Sequence, residues 1–178
     1  MKTSLKSKSA LALFPMFWGV LGFAALLANA VYSLTPFAVT PIADGLLSWW
    51  QWGLYGLWVF FMAYTEGYKG FQVQMSPRVV ARGMHLVEHP KLLHVVLAPL
   101  FVMSLFHATR KRLFVSWFVL IAVVLLVIGV RQLEQPWRGI VDGGVVVGLS
   151  WGLIAMLWYF VVGLSGGEVP AEPELPGD

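Results

Sequence analysis

LLHVVLAPLFVMSLFHA, residues 92–108, is the stretch that decides how this chain is threaded. It is apolar enough to enter a bilayer, but it is short and Pro99 interrupts it. At ~1.5 Å per residue it would rise about 26 Å as one helix, slightly less than the roughly 30 Å hydrocarbon core. Arg110, Lys111 and Arg112 follow at once. Whether these three cations lie on the same side as Lys91 depends on whether the segment crosses.

The rest of the sequence supplies the setting. Of 178 residues, 58% are hydrophobic and 12% charged. A soluble domain carries about 25% charged residues, so the chain lacks the polar surface to cover a water-facing globule. Four further apolar runs, at 11–34, 42–65, 113–130 and 140–164, approach or exceed the length of a membrane span. The expected fold is therefore all-α: a polytopic integral membrane helical bundle of about five transmembrane helices. A basic tail precedes it at 1–10, and the transmembrane domain covers 11–164. The acidic tail at 165–178, rich in proline and glycine, is expected to be disordered. The setting expected is a bacterial-type inner membrane, crossed several times.

The first run resembles a secretory signal, with lysines before it and Ala28 and Ala30 at small-x-small spacing. Its apolar stretch is longer than the usual core of about 7 to 15 residues, so it is read as a retained span. Pro36, Pro41 and Gly45 then mark a turn, with Thr40-Pro41 as the start of the second span. Trp49, Trp50 and Trp52 place that end at the outer interface.

Basic residues set the orientation. If 92–108 crosses, nine Lys and Arg lie inside and three outside; if it re-enters, ten lie inside and two outside. The count does not separate the two. A broken segment exposed to lipid would leave backbone groups unsatisfied, which favours five crossings and places the acidic tail outside.

Several residues are candidates for more than packing. SPRVVARGMHLVEHP suggests a short interfacial helix over 77–89, with Arg78, Arg82, His85 and His89 on one face toward lipid phosphates or another anionic surface. His85 and His89 have metal-ligand spacing, but no third ligand is evident, so no metal site is expected. His94 and His107, thirteen residues apart, are spaced as ligands of two stacked haems would be if another subunit supplied the partners. Haem or a quinone is thus an alternative, and no cofactor is expected. Glu66 with Lys69 reads as an interfacial ion pair. Asn29, among small residues, is expected to bond across to a neighbouring helix. Gly144, Gly148 and Gly152 form a GxxxGxxxG row, a groove that another helix can approach closely. Arg131, Glu134, Arg138 and Asp142 form a charge ladder, with Asp142 in the first turn of the last helix where the dipole favours a carboxylate.

Without cysteine there is no disulfide, thiolate metal site or cysteine nucleophile. Phosphate loops, nucleophile elbows and dinucleotide fingerprints are absent, so no catalytic residue is expected. Cations gather at the ends of apolar runs rather than in a nucleic-acid patch. The expected partners are the bilayer and other transmembrane helices, including further copies of the chain. The function these features suggest is a helix-packing subunit or scaffold. A small oligomeric transporter or channel, using Glu66, Arg131, Glu134, Arg138 and Asp142, is the alternative.

Overall fold

A computed structural model describes residues 9–176. Lys2, Lys6 and Lys8 of the basic tail, and residues 177–178, lie outside the described residues. The described chain is helical, with no strand: α1 (Ala10–Ala43), α2 (Trp49–Met62), a π-helical segment (Ala63–Met75), α3 (Ser76–Glu88), α4 (Leu92–Val96), α5 (Ala98–Val102), α6 (Arg110–Val130) and α7 (Trp137–Leu164). Three helices are long and apolar enough to cross a membrane: Leu11–Ala43, Arg110–Val130 and Trp137–Leu164. This is an all-helical membrane protein.

α1 runs past both expected breakers. A proline lacks the N–H that would bond the carbonyl four residues back. For Pro41 that carbonyl belongs to Phe37, and Gln135, from the loop before α7, donates to it at 3.1 Å. The Pro41 ring itself rests on Gly139, where a side chain would collide with it. Neighbouring groups thus satisfy what the proline frees. The turn comes later, at Asp44 and Gly45, whose φ of 63° suits glycine. Thr40 does not cap the second helix. Its hydroxyl donates back to the Pro36 carbonyl at 2.8 Å. Ser48 begins α2 instead, with the Gln51 side-chain oxygen accepting from both its N–H (2.9 Å) and its hydroxyl (2.7 Å).

From Trp49 to Glu88 the chain is one unbroken rod, α-helical at both ends and π-helical in the middle. The expected interfacial helix is its last section, and its apolar face packs into the bundle. Val79, Val80 and Leu86 are buried in the bundle core with Met16, Val20 and Met156.

α1, the rod and α7 form the central bundle. α1 is antiparallel to α7: Pro41 meets Gly139 at one end, and the Phe17 and Phe160 rings meet edge to face at 5.1 Å near the other. The rod runs parallel to α7, with Tyr55 against Gly143, Glu66 against Gly148, Phe71 against Gly152 and Val80 against Gly163. The glycine row therefore has its partner within the chain. Opposing side chains at Glu66 and Phe71 are five residues apart, whereas their glycines are four apart. That is the offset a π-helix supplies, because its hydrogen bonds span one more residue than those of an α-helix.

Residues 92–108 do not form one helix. α4 ends at Val96, ahead of Pro99, and α5 ends at Val102. Ser104 and His107 then take left-handed backbone angles, φ 59° and 49°. These bends return the chain so that His107 lies beside His94, ring centroids 4.5 Å apart. The broken backbone is not left to lipid, which was the argument for a crossing. Ala98 and Val102 pack on Gly19, Pro99 packs on Gly22, and Trp18 donates to the Val96 carbonyl at 3.2 Å.

The C-terminal segment is not loose. Val169 and Leu175 pack against the core, and the Glu174 carbonyl accepts from the Thr109 N–H at 3.0 Å. It lies at the end of the bundle where α1 begins, because α7 is antiparallel to α1. α6 stands apart: only 6% of its apolar window is buried, and Trp117 ties it to the Leu105 carbonyl at 3.0 Å.

Candidate functional site

Two groups of polar residues are built into the bundle, one at mid-length and one at the end that holds the start of α1.

The first centres on Glu66. The π-helical turn points its carboxyl at Gly148, near the middle of α7. A Cβ on that glycine would lie 2.7 Å from Glu66 Oε2. Oε2 is buried and has no hydrogen-bond partner among the described residues. The expected ion pair with Lys69 is not made. Lys69 points the other way, its ammonium 4.8 Å from the centre of the Tyr64 ring. The turn that carries Glu66 inward carries Tyr64, Tyr68 and Lys69 to the outside. A surface groove of about 670 Å³ runs nearby, lined by Gln72, Ser150, Trp151, Trp158 and Tyr159 among others. Trp151, one of its walls, packs on Gly67, the residue next to Glu66, and donates to Gln72 at 2.7 Å.

Toward the start of α7 the same inner face carries Asp142. It is 3% exposed, and the Arg138 guanidinium lies 3.5 Å away and 3.5 Å above the Phe37 ring. Only this rung of the expected ladder forms among the described residues; Arg131 and Glu134 are exposed. α7 starts at Trp137, so Asp142 lies beyond its first turn and the helix dipole does not account for it. Tyr55 and Trp58 close the space beside it, donating to the Ala38 and Val141 carbonyls, each at 3.2 Å. Asp142 thus closes a buried ion pair, whereas Glu66 has no cation beside it among the described residues. Asn29 is exposed on α1 and makes no bond to another helix among the described residues.

The second group centres on Arg82, fully buried rather than turned toward lipid phosphates. Its Nε donates to the Phe101 carbonyl (2.7 Å), Nη1 to Pro173 (2.6 Å), and Nη2 to His107 (3.0 Å) and Phe106 (3.3 Å). One guanidinium therefore joins α3, residues 101–107 and the C-terminal segment. Burial pulls its pKa down to about 10, which leaves it charged at neutral pH. Arg78 and Arg112 flank it and share Glu174, at 3.2 and 3.8 Å.

All four histidines gather at this end. His85 and His89 stack at 4.7 Å, and His85, His94 and His107 each lie near the Phe101 ring. His94 and His107 are neighbours, so the spacing expected for two stacked haems does not exist. Burial lowers the pKa of both below the ordinary 6.5. Among the described residues no group of three or more His, Cys, Asp or Glu is arranged to hold a metal ion.

Arg112 and Glu174 were not among the sequence candidates. Arg112 reads as one of three topology cations and Glu174 as part of an acidic tail, and only the fold brings them together. No protein-family model, curated protein or solved structure matches the chain.

Proposed function

We propose that this is a small membrane transport protein in which Glu66 takes up and releases a proton within the bundle. The observation that carries this reading is the Glu66 carboxyl itself: directed at the middle of α7, against a glycine, with one oxygen unpartnered. An ionised group deep in a bilayer costs at least about 2.5 kcal/mol, and such residues mark ion and proton paths. A π-helical turn, rare and recurrent at functional positions, presents this one.

The topology that goes with it has four crossings: α1, the first part of the rod, α6 and α7. The antiparallel pairing of α1 with α7 and the return of residues 92–108 support it. Ten Lys and Arg then lie on the side of the N-terminus, and Arg131 and Arg138 on the other, which makes the first side cytoplasmic. A bacterial-type inner membrane suits such a bundle.

Proteoliposomes carrying an imposed pH gradient test the reading. The wild-type protein should dissipate the gradient, and Glu66→Gln should slow this by about tenfold or more with an unchanged melting temperature. Equal flux from the two, or none from either, would refute it.

The subunit reading keeps one observation of its own. The glycine face is occupied by the rod, but α6 is apolar on all sides and barely touches the bundle. A subunit would hold a partner helix there, seen as a defined oligomer in mild detergent; a monodisperse monomer would argue against it.

A further inference from the structure

The basic end of the bundle contains an ion site that the described residues do not satisfy. Arg78, Arg82 and Arg112 converge on one spot from α3 and from the first turn of α6. Among the described residues, Glu174 is the carboxylate that bridges Arg78 and Arg112, reaching Arg78 Nε at 3.2 Å and Arg112 Nε at only 3.8 Å. Two guanidinium nitrogens stay buried without a hydrogen-bond partner among the described residues, Arg78 Nη1 and Arg112 Nε. Among the described residues, three cations thus face one carboxylate, which Arg82 feels at longer range.

Two features make this arrangement unfavourable as it stands. Arg110, Lys111 and Arg112 occupy the first turn of α6, the end where the helix dipole is positive and favours anions. Glu174 itself reaches the site from left-handed backbone, φ 49°, a conformation that costs a non-glycine residue energy. A phosphate group answers both. It carries up to about two negative charges and three acceptor oxygens, and arginine forks bind it in pairs of parallel hydrogen bonds. The site is reachable: the Glu174 side chain is 36% exposed, against 13% for Arg78 and 18% for Arg112.

We infer that Arg78, Arg82 and Arg112 form a phosphate-binding site, and that Glu174 occupies it as the chain's own stand-in, to be displaced when a phosphate group binds. The phosphate belongs to an anionic lipid headgroup or to a soluble phosphate compound, since the site lies at the proposed membrane–water boundary. Arg82 stays held by the Phe101, Phe106 and His107 carbonyls when the Pro173 carbonyl leaves, and supplies fixed charge. Arg78 and Arg112 have the free donors and make the new bonds. The C-terminal segment leaves with Glu174, so binding also uncovers residues 169–176.

The test uses the full chain in nanodiscs. One arm titrates inorganic phosphate into discs of phosphatidylcholine. The other compares discs with and without phosphatidic acid. Both read release of the C-terminal segment, as cleavage after Glu172 and Glu174 by a glutamate-specific protease. Release by inorganic phosphate identifies a soluble ligand; release by phosphatidic acid alone identifies a headgroup. Arg112→Gln should raise the concentration needed by about tenfold, with an unchanged melting temperature in neutral discs. Glu174→Gln should lower phosphate's apparent Kd by about tenfold, measured as direct binding of radiolabelled phosphate or as retention of labelled phosphatidic acid. Failure of both ligands to release the segment overturns the inference, as does release indifferent to Arg112→Gln.

Discussion

Arg82→Leu should cost about 3–5 kcal/mol of stability, read as a large fall in melting temperature in detergent. The nine tryptophans offer an intrinsic fluorescence signal. The substitution keeps bulk but removes donors from the carbonyls of Phe101, Phe106, His107 and Pro173, and a buried acceptor left unmade costs more than a typical bond contributes. Arg82→Lys should recover only part of the loss, because an ammonium cannot reproduce the planar fork. A melting temperature within a degree or two of wild type would mean that residues 101–107 and the C-terminal segment are held by something else.

Gly152→Leu should be comparably severe for the opposite reason. A Cβ there would come within 2.4–2.7 Å of the Phe71 ring, and the ring is itself buried. Overpacking in a well-packed core costs about 1–3 kcal/mol or more. Here the helix axes themselves must separate, which also shifts Glu66 from Gly148. Gly56→Leu, on the same rod but with nothing within 4 Å of its Cβ position, is the matched control and should melt as wild type does. If both variants melt alike, the glycine row does not set the distance between the rod and α7.

The comparison of sequence with structure turns on a few residues. The apolar runs and their helical class are plain in composition, and the GxxxGxxxG row is plain in spacing. Its partner is not, because spacing marks a groove without naming what fills it. Pro36 and Pro41 mislead: a helix breaker in water is tolerated where a neighbour such as Gln135 takes up the freed carbonyl. Pro99 was visible as an interruption, yet its consequence depended on Ser104 and His107 entering left-handed backbone, which no residue-level preference foretells. Glu66 and Lys69 stand three apart, so an α-helix would present them as neighbours. The π-helical turn sends them to opposite sides, and no short motif announces it. Arg82 looked like one cation of a surface stripe. Its role depends on carbonyls 19 to 91 residues away.

In the proposed topology the chain turns back at residues 92–108, so that the start of α1 and the end of α7 lie on one side. The natural sequence has no cysteine, so single cysteines report position without background. Lys111→Cys, Ser165→Cys and Leu133→Cys, each in right-side-out and inverted vesicles, should be probed with a membrane-impermeant maleimide. Lys111→Cys and Ser165→Cys should label from the same side, the cytoplasmic one, and Leu133→Cys from the other. Labelling of both Lys111→Cys and Ser165→Cys from the outside, with Leu133→Cys inside, would establish five crossings and contradict the fold described.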